Sequence, residues 1–243
     1  MRGAIKRILW RAGWDVVRFN PATHPLARRA RILKNYQIDL VLDVGANIGQ
    51  YASQLRELGY KGRIVSFEPL ESAVTGLRQA ASRDANWEVR HHACGAVGGK
   101  HRMYVAANSQ SSSFLPMRPK HLQMFPDSGY VGTEMVEVKR LDAVFDELVN
   151  PQSRVWLKMD VQGFEAAVVE GAANVLHRID VIQAEISLEP LYEGETTMAD
   201  FLLLMTRKGF TLIALESYLS DAETSELLQV ECIFKGRQCQ SKE

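Results

Sequence analysis

The run Asp39-Leu40-Val41-Leu42-Asp43-Val44-Gly45-Ala46-Asn47-Ile48-Gly49-Gln50-Tyr51 restricts the fold of this chain more than any other stretch. An apolar run ends in an acid, a glycine-punctuated turn follows, and the turn leads into a helix-like segment. A second apolar run, Arg63-Ile64-Val65-Ser66-Phe67-Glu68-Pro69, ends in another acid, and Glu68 lies 19 residues after Gly49. Two strands joined through a helix imply a parallel pair, because parallel strands need a crossover connection. An acid at the tip of the second strand suits a nucleoside, since a carboxylate accepts hydrogen bonds from both ribose hydroxyls.

The glycine pattern then selects among nucleoside ligands. Dinucleotide sites favour G-x-G-x-x-G, with a pyrophosphate on the helix N-terminus. Here the order is Gly45-Ala46-Asn47-Ile48-Gly49, without a third glycine at that spacing. A phosphate-cradling G-K-[ST] is also absent. Asp43, two residues before the first glycine, would repel a pyrophosphate and attract a cation. S-adenosylmethionine, with its sulfonium, ammonium and ribose diol, meets these demands.

Elsewhere the apolar periods alternate between strand and helix. Strands are expected at 37–44, 63–68, 87–93, 134–140, 154–160, 179–187, 210–216 and 229–235. Helices are expected at 49–58, 70–82, 141–149, 163–176 and 197–208. This alternation gives a doubly wound, mostly parallel α/β sheet, with the last two strands as an antiparallel hairpin. Residues 94–133 read as a long cover over the ligand edge, with one β-like piece at Arg102–Val105. Within it, Ser111, Ser112 and Ser113 are candidates for contacting hydroxyls, and Phe114, Phe125 or Tyr130 for stacking.

A second motif, Lys158-Met159-Asp160-Val161-Gln162-Gly163-Phe164-Glu165, repeats the logic of strand, acid, glycine and helix. In open α/β sheets ligands bind beyond the carboxyl ends of the strands, at the switch point. Neighbouring strands 37–44 and 154–160 would bring Asp43 and Asp160 to one crevice. Glu185, on strand 179–187, would join Asp160 and Glu165. Such carboxylates act as a general base, hold a divalent metal or bind hydroxyls. Glu165 has the further reading of a helix-dipole partner. Lys158 is either a buried partner of these acids, a donor to substrate, or a solvent-facing residue. Of His91 and His92, adjacent on a strand, at most one can face the site.

Taken in this order, V-L-D-V-G-A-N-I-G-Q-Y, F-E-P and L-K-M-D-V-Q-G-F-E with A-x-V-x-x-G-A resemble the FkbM family of methyltransferases over about residues 30–236. The resemblance implies a class I, Rossmann-like fold with a seven-stranded sheet and O-methylation by S-adenosylmethionine. It implies acceptors among sugar residues of glycolipids, polysaccharides and natural products, with a non-sugar hydroxyl such as a polyketide as the alternative. By the same resemblance Asp43, Gly45, Asn47 and Gly49 line the methionine end, Glu68 takes the ribose, and Ala93 and Cys94 contact adenine. Asp160 and Glu165 match the family's acidic motif, while Gln162 stands where many members have glutamate. No mechanism that needs a carboxylate at 162 carries over. A nicotinamide-binding oxidoreductase and a silent binding module are the readings from other classes, and the missing third glycine argues against the former.

Charge sets the remaining limits. Lysine plus arginine equals aspartate plus glutamate, 29 each, so no overall field favours nucleic acid. Three cysteines with no C-x-x-C spacing suit a reducing, cytoplasmic setting. Residues 1–37, however, carry nine basic side chains and one acid, Asp15. Ile5, Ile8, Leu9, Ala12 and Val16 recur at helical spacing beside Trp10 and Trp14. This lead-in, assigned to 1–36, either lies on an anionic membrane surface through residues 1–20 or docks on the domain. The domain proper is set at 37–236 and a tail at 237–243.

Overall fold

The computed structural model of the chain describes residues 2–221 and 223–239. Its strands are β1 (Leu40–Val44), β2 (Arg63–Phe67), β3 (Trp87–Arg90), β4 (Ala93–Cys94), β5 (Gly99–Ala106), β6 (Tyr130–Lys139), β7 (Val155–Met159), β8 (Val181–Ser187), β9 (Phe210–Ser220) and β10 (Leu227–Gly236). Its helices are α1 (Arg2–Arg11), α2 (Pro25–Asn35), α3 (Gln50–Glu57), α4 (Glu71–Ala81), α5 (Pro119–Met124), α6 (Leu141–Leu148), α7 (Glu165–Gly171) and α8 (Met198–Arg207).

Seven strands form the central sheet in the order β3-β2-β1-β7-β8-β10-β9. β1 pairs in parallel with β2 on one side and β7 on the other, so the strand order reverses at β1. β10 inserts antiparallel between β8 and β9 and forms the expected hairpin with β9. All five residues of β1 are buried, as a strand covered on both faces requires. Leu40, Leu42 and Val44 pack with Leu141, Phe145 and Phe201 on one face. Val41 packs with Leu55, Leu77 and Trp156 on the other. Helix α3 has eight residues, too few to persist alone in water. The burial of Ala52 and Leu55 against the sheet holds it.

The expected elements reappear with a few relocations. The strand predicted at 87–93 splits: β3 ends at Arg90, and Ala93–Cys94 leaves the main sheet to pair with Val138–Lys139. The strand predicted at 134–140 starts earlier, at Tyr130, and belongs to a second sheet, β4-β6-β5. Within the segment 94–133 the β-like piece at Arg102–Val105 is the middle of an eight-residue strand, β5, antiparallel to β6. This small sheet packs through Met103 and Val136 onto Leu70 and Ala73 at the start of α4. The helix predicted at 163–176 stops at Gly171, where an added Cβ would meet the Gly95 carbonyl oxygen at 2.1 Å.

The lead-in divides in two. Helix α2 docks on the sheet through Ile32 and Leu33. Helix α1 ends at Arg11, and a turn at Gly13, with φ +80°, closes it short of Val16. Docking fails for this first part: Ile5, Ile8, Trp10, Trp14 and Val16 are exposed. Met1 of the lead-in and residues 240–243 of the tail lie outside the described residues. Among the described residues no helix is long and apolar enough to cross a membrane.

Candidate active site

A cavity of about 740 Å³ opens at the carboxyl ends of β1, β2 and β7, within the usual size of small-molecule sites. Its floor is the turn after β1. Gly45 adopts φ +79°, and an added Cβ would lie 1.9 Å from the Asp160 carbonyl oxygen, so only glycine fits between the two loops. Asn47 also takes a left-handed conformation, φ +47°, which asparagine tolerates better than most residues. Its amide N–H donates to Glu68 Oε2 at 2.8 Å, and the Leu70 N–H donates to Glu68 Oε1 at 2.9 Å. Burial pushes the Glu68 carboxyl up to about 7, against the pull of these two N–H groups.

Gly45, Asn47, Glu68, Ala93 and Cys94 all line the cavity. Burial pushes the Cys94 thiol up to about 12, which makes it an inert wall at neutral pH. Gly49 does not line the cavity. It starts α3 at φ +93°, and its missing Cβ leaves room for the Trp87 ring. Asp43 lies beneath the floor, fully buried, accepting from Ser66 Oγ at 3.1 Å and paired with Lys158 Nζ at 3.3 Å. Both therefore support the turn from behind.

The second motif supplies the opposite wall. Lys158 is buried between Asp43 and Asp160, with Asp160 Oδ2 at 3.5 Å. Burial pulls its pKa down, but the two acids outweigh burial and leave it raised, so it stays cationic. Burial raises Asp43 in turn, opposed by Lys158. The Asp160 side chain is 31% exposed and reaches the cavity. Gln162, held at φ +54°, donates its Nε2 to Asp160 Oδ1 at 2.8 Å and to Glu185 Oε1 at 3.5 Å. Gln229 Nε2 donates to the same Glu185 oxygen at 2.7 Å. Burial, then the nearby Asp160, Glu165 and Glu231, raises Glu185 well above the usual carboxylate range.

Glu165 sits apart from this pair. It is buried, accepts the Val161 N–H at 3.0 Å and does not line the cavity. Burial pushes it up to about 8. Neither histidine at the β3 end lines the cavity. His91 contacts the Pro69 carbonyl and His92 packs at a tilt against the Phe67 ring.

The segment between β5 and β6 roofs the site. Ser109 Oγ accepts from Asn47 Nδ2 at 3.0 Å, and Ser113 Oγ donates to the Gln162 carbonyl at 2.7 Å. Ser111, Ser112, Phe114 and Phe125 line the cavity, whereas Ser113 is fully buried and Tyr130 stacks on Tyr104. Tyr192 ties roof to wall. Its hydroxyl donates to Gln162 Oε1 at 2.7 Å and lies 3.2 Å from both the Ser111 carbonyl and His121 Nε2. Burial holds His121 below its ordinary pKa. Arg29, from α2, closes the far end of the cavity, paired with Glu231 and hydrogen-bonded to Gln54. Arg29, His121 and Tyr192 carry no sequence signal, because each acts through partners far away in the chain. Gln162 had one, its place inside the acidic motif.

These residues fit S-adenosylmethionine. A carboxylate offers about four acceptor positions. Glu68 uses two on backbone N–H groups, which leaves two for a ribose diol. Leu70, Ala93 and Cys94 offer an apolar wall for a base, and the Gly45 backbone permits close approach. Among the described residues no group of three His, Cys, Asp or Glu side chains is arranged to hold a metal ion.

Residues 43–212 match the methyltransferase FkbM domain. Over 188 residues the chain is 27% identical to the 2-O-methyltransferase NoeI of Sinorhizobium fredii, covering 72% of this chain and 73% of NoeI. An rRNA methylase from Streptococcus thermophilus aligns with a TM-score of 0.48 at 14% identity, over 89% of this chain and 98% of its own. LepI in complex with SAM aligns with a TM-score of 0.44 at 16% identity, over 89% of this chain and 48% of LepI. Both structural likenesses are loose, and the domain match carries the assignment. It spans both strand-end motifs that build the cavity, and on it the chain belongs to the FkbM family, as an S-adenosylmethionine-dependent methyltransferase.

Proposed function

We propose that the enzyme methylates a hydroxyl oxygen of a sugar residue, borne by a glycolipid, a polysaccharide or a glycosylated natural product. The observation that carries this reading is the chemistry of the wall beyond Asp160. Glu185, Gln229, Ser217 and Tyr218 line the cavity there, a set of acceptors and donors suited to a polyhydroxylated, uncharged acceptor. The match to NoeI, a 2-O-methyltransferase by name, supports an oxygen acceptor. Acidic lining and balanced overall charge both disfavour nucleic acid.

The donor, when bound, supplies a methyl carbon made electrophilic by its sulfonium. Glu68, Asn47, Gly45, Ala93 and Cys94 hold it, with Asp43 and Gly49 shaping the turn from behind. Asp160 removes the acceptor proton at Oδ2, the oxygen whose near neighbour is Lys158 at 3.5 Å. Lys158 and Gln162 fix that carboxylate, and Glu185 binds an acceptor hydroxyl. Glu165 braces the loop at the start of α7. The Lys158 ammonium already supplies positive charge between Asp43 and Asp160, so we expect activity to survive chelation. The lead-in is taken as 1–36, the catalytic domain as 37–236 and the tail as 237–243, in a cytoplasmic protein.

The test is methyl transfer from S-adenosylmethionine to a panel of neutral oligosaccharides, phosphorylated sugars and polyketide alcohols, read by mass spectrometry. Methylation confined to neutral sugars is expected, and loss of that product in Asp160→Asn. Methylation of the polyketide alcohols alone would move the acceptor to the non-sugar class.

A further inference from the structure

The fold leaves one apolar surface uncovered, on the segment before α2. Ile8, Trp10, Trp14, Val16, Val17 and Phe19 are each 50–69% exposed. Single exposed apolar side chains are ordinary, but six within twelve residues make a patch, and such patches mark interaction sites. Local contacts hold it together. The Trp14 N–H donates to the Leu9 carbonyl, and Trp10 Nε1 donates to Asp15 Oδ1 at 2.9 Å.

Charge identifies the occupant. Asp15, the one acid in this stretch, is paired with Lys6. Arg7, Arg11 and Arg18 make no ion pair among the described residues. Tryptophan prefers the interface between lipid and water, and arginine beside it prefers anionic headgroups. A second copy of the chain would bring the same positive charges together, which disfavours self-association here. The patch also runs directly into the site: α2 begins at Pro25, and Pro25, Leu26 and Arg29 line the cavity.

We infer that residues 5–19 seat the enzyme on an anionic lipid surface, tethering the cavity-lining helix α2 to it. The inference is independent of which acceptor is methylated. Each basic residue beside an anionic leaflet gives about a fivefold gain in partitioning, so three arginines imply about a hundredfold preference.

The experiment is co-sedimentation of the full chain with phosphatidylcholine vesicles and with mixed phosphatidylcholine–phosphatidylglycerol vesicles. The expected result is about a hundredfold stronger binding to the anionic vesicles, weakened by salt. Trp14→Glu with Val17→Glu should reduce it to the neutral-vesicle level, with affinity for S-adenosylhomocysteine unchanged. Should that variant not fold, Arg7→Ala, Arg11→Ala and Arg18→Ala together should remove the anionic preference. Equal binding to both vesicles, no binding to either, or a dimer that the same substitutions dissociate would overturn the inference.

Discussion

Glu68 carries two loads, the backbone of its own turn and, when donor is present, the ribose. Its replacement by alanine removes an acceptor from two buried N–H groups and from the diol. We predict that Glu68→Ala weakens S-adenosylhomocysteine binding by about 1–3 kcal/mol in calorimetry, the scale of buried polar groups left unpaired. With its carboxyl pushed up to about 7, the residue is only partly ionised in the ligand-free protein at neutral pH. Affinity should therefore rise as pH passes upward through about 7, and this rise should vanish in the variant. Asp160→Asn should leave that affinity intact while cutting turnover by about 10²–10⁴-fold with a genuine acceptor, the usual contribution of a general base. Lys158→Met should behave differently, because it strands Asp43 in the core. An unpaired buried charge costs about 3–5 kcal/mol, so we expect a marked fall in the urea midpoint of unfolding.

At the scale of elements, local chemistry explains which parts were readable. The β1–α3–β2 unit and the β7–α7 motif are legible because strand, turn and helix follow each other within a few residues, each with its own periodicity. Their tips bring Gly45, Glu68 and Asp160 to one crevice once β1 and β7 are neighbours. β5 was only partly legible: the β-like piece Arg102–Val105 falls inside Gly99–Ala106, which holds one lysine, one histidine and one arginine, with only Met103 and Ala106 buried. Its full length comes from pairing with β6, about thirty residues on, a partnership that no local pattern records. The lead-in left two readings open for another reason, since helical spacing cannot say whether an apolar stripe has anything to cover. The roof depends on a similarly remote tie. Tyr192→Phe keeps the ring packed against His121 but removes the hydroxyl shared by Ser111, His121 and Gln162. Hydrogen exchange over 107–128 should quicken in this variant, with β1 and β7 unchanged. Unaltered exchange there would detach Tyr192 from the roof.

Over the whole molecule, the arrangement that suits the donor stores acids in a dry interior. Glu68 and Glu165 are pushed by burial to about 7 and about 8, and burial also raises Glu185 and Glu231. An acid whose folded pKa lies above its unfolded value holds its proton longer in the folded state. Stability then falls as pH rises from the unfolded value, near 4.5, to the folded one, and flattens beyond it. Each pKa unit is worth about 1.4 kcal/mol, so Glu165 alone sets a loss of about 2–5 kcal/mol after allowance for relaxation. That is a large share of the roughly 5–15 kcal/mol that keeps a domain folded. We therefore predict that the urea midpoint of the ligand-free enzyme drops steadily between about pH 5 and about pH 8. Glu165→Gln, which still accepts the Val161 N–H through its amide oxygen, should flatten the upper part of that slope. Saturation with S-adenosylhomocysteine should offset part of the fall, by about 2.7 kcal/mol at a hundred times Kd, because ligand binding favours the folded state by mass action. A midpoint that climbs with pH in the ligand-free protein would mean that these carboxylates are ionised in the fold, and that water or a cation reaches them.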